Sequence, residues 1–389
     1  MKKVLALVLA LTMVFALAAC GGSGKSSGDT VTIGVFEPAS GDNGAGGKQE
    51  TLGVQYANSV QPTVEIGGKT YKVVVKYVDN ESSNDKAPSA ASELVNAGCS
   101  IVLGSYGSGV SIAGGPTFEA AGIPAVGITC TNPQVTEGNT YYFRICFLDP
   151  FQGTVLANFA HDTLGAKTAY CLGQLGNDYD QSLINYFKQA AEGLGMKVVT
   201  AEFPEHNSDF TSYLTSAKNE GAEVIFAPCS ISYAQLIVEQ ADAQGIAMPL
   251  LAGDTWDSNA ILAAAEGKNV QIYVSTFYAE GGDPNFEKGI KEWLNSNSEA
   301  MTNNGGNDMI AAVSVMGYDA YYTALEAIKK AGSADKADIL AKLPEVTLTG
   351  VSGAIAFDDT GDAIRDSAYI KQANTKDVIW DFVTVAKVG

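Results

Sequence analysis

The chain has 389 residues and a formal net charge of −19, with 43 Asp and Glu against 24 Lys and Arg. That acidity argues against a nucleic-acid-binding surface, which needs clustered cations, and the 46% hydrophobic content excludes wholesale disorder. The length suggests two domains rather than one, and only 2 His leave little room for histidine-based metal or acid–base chemistry.

The chain opens with Lys2 and Lys3, followed by Val4 to Ala19, apolar throughout except for Thr12. This run is shorter than the roughly 20 residues of a membrane span and has the anatomy of a secretory signal. Its end, Leu17-Ala18-Ala19-Cys20, looks like a bacterial lipobox. Residues 1–19 are therefore expected to be removed, Cys20 to carry lipid, and residues 20–30, with their Gly and Ser, to form a flexible tether. The expected location is outside the cytoplasm, anchored by lipid to the bacterial membrane. Gly24-Lys25-Ser26 imitates the end of a phosphate-binding loop, but Ala19 stands where that motif requires its first Gly. Cys99, Cys130, Cys146, Cys171 and Cys229 form no CxxC pair. Their odd number leaves at least one unpaired with the others, and apolar surroundings predict buried thiols for most of them.

Beyond the tether, the pattern predicts a strand at Val31–Phe36, a Gly-rich loop over Ser40–Gly47 and a helix to about Ser59. A strand at Tyr71–Val78, a helix at Lys86–Ala97, a short strand at Ser100–Leu103, a helix to Ala120 and a strand at Ile123–Gly127 follow. A second alternating series begins with a helix at Phe151–Leu164. It continues with strands at Thr168–Leu172, Lys197–Ala201, Glu223–Ala227, Pro249–Ala252 and Gln271–Ser275, with helices between the first four. Longer helices are expected at Asn285–Glu299 and Asp308–Ala331, and a strand-rich tail from Ser352. Strand–helix alternation with short links predicts an α/β fold of two doubly wound parallel-sheet lobes. Ligands of such sheets collect at the carboxyl ends of the strands.

The familiar catalytic patterns are missing. Tyr106-Gly107-Ser108-Gly109 has Tyr where a nucleophile elbow needs its first Gly, and His161 and His206 have no triad partners in sequence. Asp358, Asp359 and Asp362 lack the spacing of a calcium loop and read as a hairpin turn. No catalytic residue, cofactor or metal is assigned, and binding without turnover is expected. Ser108 follows a strand and precedes a helix, a place where a hydroxyl and backbone amides meet an anion. Thr129 and Thr131 follow the next strand, and Asp254 ends a strand of the second series, where a carboxylate would answer an ammonium. Together these groups suit an α-amino acid. Taken singly, helix capping or turn formation accounts for each.

The mature chain resembles the periplasmic leucine/isoleucine/valine-binding protein family of ABC-transporter receptors. The resemblance rests on Ile33-Gly34-Val35 with Ser40-Gly41, Val102-Leu103-Gly104-Ser105, Thr131-Asn132-Pro133 with Thr136, and Phe143-Arg144. It extends through Asp149-Pro150-Phe151-Gln152-Gly153, Gly317-Tyr318-Asp319-Ala320, and Gly350-Val351-Ser352-Gly353 with Phe357-Asp358. It implies a type I periplasmic-binding fold with three crossing segments, lobe 1 over residues 31–147 and 277–347, and lobe 2 over 148–276 and 348–389. It implies a monomer that closes on an amino acid, branched-chain or otherwise apolar, and delivers it to membrane permease subunits. A sensory or amide receptor of the same fold, or an enzyme on an α/β scaffold, are the alternatives. On matching positions, Ser108 would take the ligand carboxylate, Thr131 both ends of the ligand, and Thr129 and Asp254 the ammonium. Tyr179 falls near a family aromatic. Two departures stand out: the loop Asp42–Gly47 lacks the usual aromatic, and Ser230 replaces another. Tyr106, Trp256 and Tyr278 are candidates to line the pocket in their place.

Overall fold

The computed structural model describes residues 29–388. The leader, Cys20 and most of the tether lie outside the described residues. Among the described residues, no helix is long and apolar enough to cross a membrane.

Two sheets organise the chain. The first holds β1 (Thr30–Glu37), β2 (Thr63–Ile66), β3 (Lys69–Asp79), β4 (Ile101–Leu103), β5 (Ala125–Gly127) and β6 (Tyr142–Arg144), in the order β2-β3-β1-β4-β5-β6. β4 pairs parallel with β1 and β5, and β5 with β6; β2 and β3 form an antiparallel hairpin at one edge. The second sheet contains β7 (Thr168–Gln174), β8 (Lys197–Phe203), β9 (Val224–Phe226), β10 (Leu250–Ala252) and β11 (Ile272–Thr276). After a separate hairpin of β12 (Thr347–Gly350) and β13 (Gly353–Ala356), β14 (Ser367–Asn374) and β15 (Ile379–Lys387) complete it. Its order is β15-β14-β11-β10-β9-β7-β8, parallel from β11 to β8, with β14 and β15 added antiparallel.

The short central strands are apolar on both faces. Ile101, Val102 and Leu103 are fully buried, as are Val224, Ile225 and Phe226, which is what helices on both sides of a parallel sheet require. The predicted helix at Phe151–Leu164 begins earlier, at Asp149, because Pro150 in its first turn has a fixed φ that suits a helix start. It leaves α geometry after Asn158. Leu164 N–H donates to the Phe159 carbonyl, five residues back, so the last turn is a π turn. All five cysteines of the described residues are buried free thiols.

The crossings between lobes combine Arg144, Asp319, Val351 and Ser352, from motifs singled out in the sequence, with residues outside them. Phe147 and Phe277, on the first two crossings, pack at a tilt of 31° with ring centroids 4.3 Å apart. Asp319 accepts hydrogen bonds from Val351 N–H at 2.9 Å and Ser352 N–H at 2.8 Å, and Arg365 donates to the Ser352 carbonyl at 2.7 Å and the Ile145 carbonyl at 2.9 Å. Residues from β12 to Asp362 are therefore tied to the first lobe, and the chain rejoins the second sheet at β14, later than the sequence boundary at residue 348. Arg144 is fully buried, as only a paired guanidinium tolerates. Its Nε meets Asp362 at 2.5 Å, while Nη1 donates to the carbonyls of Cys130 at 2.9 Å and Asn132 at 2.5 Å. The two carbonyls that flank Thr131 are thus fixed from below.

Candidate functional site

The loops at the carboxyl ends of β1, β4, β7 and β9 open onto a cavity of about 480 Å³ between the lobes. Its lining includes Tyr106, Ser108, Tyr179, Ser230 and Thr255, so four of the residues picked from the sequence meet there. Thr129, Thr131 and Asp254 are buried and do not line this cavity.

Ser108 begins the helix Ser108–Ala121, whose first turn carries no acidic residue and no side-chain cap. Gly107, Ser108, Gly109 and Val110 all face the cavity. The first N–H groups of a helix have no intrahelical acceptor and carry its positive dipole end, so this turn is suited to an anion. Asn132 N–H donates to Ser108 Oγ at 3.2 Å, which leaves the hydroxyl proton for a ligand. Thr131 Oγ1 and both carboxylate oxygens of Asp149 are buried without a well-formed hydrogen bond among the described residues, and the Thr131 and Ser182 hydroxyls are the donors nearest to Asp149. Burial raises the Asp149 carboxyl to about 6.

On the second lobe, Asp254 follows β10. Its Oδ1 accepts from Gln152 Nε2 at 2.8 Å and from the Tyr179 hydroxyl at 3.2 Å. Burial pushes its carboxyl up to about 7, and the neighbouring Asp149 adds to the rise. The Tyr179 hydroxyl lies so close to Gly253 that a Cβ there would come within 2.3 Å of it. Gly253 therefore permits the tyrosine to reach the carboxylate. Thr129 donates its hydroxyl to Glu50 at 2.5 Å, and burial raises Glu50 to about 8. Glu37, beside Glu50, is also raised by burial.

The missing aromatic of the first loop has a structural counterpart. A Cβ on Gly46 would lie 2.4 Å from Cζ of Tyr106, so the ring of Tyr106 packs directly on Gly46. The two aromatic candidates other than Tyr106 do not join the cavity. Tyr278 packs with Leu52, Phe286 and Ile290, and its hydroxyl donates to Glu287 at 2.5 Å. Trp256 is fully buried in the second lobe and donates to the Cys229 carbonyl at 3.0 Å. Both have satisfied polar atoms in a core, which removes them from the lining.

Sequence reasoning picked Ser230 and Tyr106 but missed that they join the lobes, and missed their partners altogether. Asn43 Oδ1 accepts from Ile231 N–H at 3.2 Å, and Asn43 Nδ2 donates to Ser230 Oγ at 3.2 Å. Ser232 donates its hydroxyl to Asp42 Oδ1 at 2.7 Å and its N–H to the Asp42 carbonyl at 3.1 Å. Asn132 Nδ2 reaches the Asp178 carbonyl at 2.9 Å, and Ser258 Oγ reaches Gln49 Oε1 at 3.0 Å. These bonds hold the lobes together in a closed arrangement.

The profile of the periplasmic binding protein family matches residues 30–377. The Leu/Ile/Val-binding protein homolog 1 of Brucella abortus (strain 2308) is 28% identical over 352 residues, which are 89% of this chain and 91% of that protein. The crystal structure of a leucine binding protein, LivK, from Thermotoga maritima matches with a TM-score of 0.81 at 29% identity, covering 92% of this chain and 99% of that one. A solute binding protein of an ABC transporter from R. palustris, solved in complex with benzoate, shares the fold at a TM-score of 0.77 and 17% identity, covering 92% of this chain and 98% of that one.

Proposed function

The chain belongs to the periplasmic binding protein family that includes the leucine/isoleucine/valine-binding proteins, and from that premise we propose that it is the extracytoplasmic receptor of an ABC transporter for an α-amino acid. The observation that carries this reading is the division of complementary groups between two lobes. An uncapped helix N-terminus with the Ser108 hydroxyl stands on one, and the buried Asp254 carboxyl on the other. A free α-amino acid is a small molecule with an anion and a cation on neighbouring atoms, and it satisfies both ends at once. In this reading the Thr131 hydroxyl, buried between the two, would join them.

Capture follows from the closed arrangement. Contacts from both lobes favour the closed state, and a ligand shifts the equilibrium only by binding that state better than the open one. The closed shape is then presented to membrane permease subunits, with the protein a monomer tethered through lipid on Cys20. The names of the Brucella and Thermotoga relatives make leucine, isoleucine and valine the first ligands to test. Mass spectrometry of the small molecule released on denaturing the purified protein identifies the ligand, and a thermal-shift screen ranks amino acids against aromatic carboxylates. Release of a single unaltered amino acid supports the reading, and a ligand without an α-ammonium removes it. Mass spectrometry of the intact membrane-extracted protein, showing diacylglycerol on Cys20 or its absence, tests the anchor.

A further inference from the structure

The cavity between the lobes has a charge pattern that a zwitterion alone does not answer. Five carboxylates line it: Asp42, Glu81 and Asp85 from the first lobe, and Asp178 and Glu205 from the second. No Lys or Arg lines it among the described residues. None of the five forms an ion pair with Lys or Arg among the described residues; Glu205 has only the neighbouring His206, at 4.0 Å. Asp42 and Asp178 are half-buried, and the other three stand at the exposed mouth. Closure therefore brings like charges from opposite walls to one cavity with no protein cation between them. Asp42 and Asp178 are each held across the cleft by a neutral donor, Ser232 and Asn84, which spreads their charge without cancelling it; the remaining like charge opposes closure unless something positive enters.

The deeper groups point the same way. Asp254 and Asp149 stand behind Tyr179, and each has a carboxyl raised by burial with no basic side chain bonded to it. The α-ammonium of an amino acid offsets one carboxylate there, and its α-carboxylate is taken by Ser108 and the helix N-terminus. The lining left over for the ligand's side chain is polar and acidic, flanked by the rings of Tyr106 and Tyr179. Aromatic faces beside carboxylates suit an ammonium or guanidinium.

We infer that the ligand is an amino acid with a cationic side chain, whose distal charge faces Asp178 and Glu205 on one wall of the cleft and Glu81 and Asp85 on the other. This rests on the amino-acid receptor reading and narrows it. A net positive ligand relieves the repulsion between the walls, so it stabilises the closed state by more than its direct contacts.

The test uses protein stripped of co-purifying ligand and titrated calorimetrically with lysine, ornithine, norleucine and leucine. Norleucine keeps the carbon chain of lysine and lacks the distal ammonium. Lysine or ornithine is expected to bind about tenfold or more tightly than norleucine, with the ratio falling as salt rises, because exposed charges are screened over about 8 Å at physiological ionic strength. The double variant D178N/E205Q is expected to bring the lysine-to-norleucine ratio close to one. If that variant does not fold by circular dichroism, E81Q/D85N on the facing wall is expected to lower the same ratio. Leucine or norleucine binding as tightly as lysine overturns the charge assignment and leaves the receptor reading standing. Failure of lysine and ornithine to bind, in folded protein shown to be free of ligand, also overturns the charge assignment, whereas only a released ligand without an α-ammonium overturns the receptor reading.

Discussion

The Tyr106 hydroxyl, on the first lobe, donates to the Thr255 carbonyl of the second at 2.9 Å. Tyr106 is 6% exposed, and its own N–H is held by Glu37 at 2.7 Å. One side chain thus fills the space above Gly46, lines the cavity and joins the lobes next to Asp254. Tyr106→Phe keeps the ring and removes only the bond between lobes. A neutral hydrogen bond is worth about 1 kcal/mol net, so the dissociation constant is expected to rise about fivefold. Calorimetry on the variant checks this. An unchanged constant would show that the bond contributes nothing to the ligand-bound closed state.

A second tie also borders the cavity. The Asp42-Asn43 turn sits on the N-terminal end of the helix Ile231–Ala243, with Asn43 bonded to Ile231 and Ser230 and Asp42 to Ser232. An anionic side chain at that end is favoured by the helix dipole. Asn43→Ala removes two of these bonds without touching the helix Ser108–Ala121. Ligand release is expected to accelerate several-fold while association changes little, since tightening by a formed interface acts mainly on dissociation. Stopped-flow measurement of both rates decides it, and equal release rates in variant and wild type would dismiss the tie as incidental.

On the proposed reading, Asp254 titrates where its partner, the ligand's ammonium, does not. Its carboxyl, near 7 in the ligand-free cleft, must be ionised to pair with an ammonium that stays charged throughout the neutral range. Affinity is therefore expected to rise with pH from 6 to about 8, and binding near pH 7 to release a fraction of a proton. Calorimetry in two buffers of different ionisation enthalpy reads that proton directly. Asp254→Ala is expected to weaken binding by about 2–5 kcal/mol, the range for truncating one partner of a buried charge pair, and to flatten the pH profile. A variant that loses affinity but keeps the profile would assign the titration to another group, with Asp149 the nearest candidate.

The lobes and the ends of their strands were legible in the sequence because parallel strands buried on both faces leave short apolar runs separated by polar loops. Val102 and Leu103 mark the loop that reaches Ser108, and Leu250 to Ala252 the loop that reaches Asp254. Local pattern therefore located the walls of the cleft. What joins the walls was not legible. Asn43 meets Ile231 across 188 positions, and Tyr106 meets Thr255 across 149, and no local periodicity records which loops face each other when two lobes close. The same limit explains Tyr278 and Trp256. Both are aromatic residues just beyond strand ends, as a lining residue would be, but they turn into cores that only the assembled lobes define. The Gly46–Tyr106 contact was half visible: the sequence showed the absent aromatic of the first loop, and only the fold showed which ring fills its place.

The buried carboxyls make a prediction about stability that is separate from binding. Asp149, Asp180, Asp254 and Glu50 are raised by burial to about 6, 8, 7 and 8. Unfolded, each titrates near 4. Between those limits the folded chain holds more protons than the unfolded one, so stability falls as pH rises. The contribution is fully present below about pH 4 and lost as pH climbs through the folded values. Asp79 and Asp358, held below the ordinary range by hydrogen bonds, act in the opposite sense only in acid and add no slope above pH 5. The ligand-free protein is therefore expected to melt at a higher temperature at pH 5.5 than at pH 8. With an unfolding entropy of about 2.1 cal/mol/K per residue, a chain this long is expected to shift by about one to two degrees for each kcal/mol lost. Saturating ligand should flatten this dependence, because an ammonium beside Asp254 favours the ionised form and removes one of the four contributions. Differential scanning calorimetry across this range, with and without ligand, provides the test. A melting temperature that rises from pH 5.5 to pH 8 in the ligand-free protein would mean that these carboxylates are solvated or paired in the native state, and it would withdraw the unpaired Asp254 on which the pH dependence of binding is built.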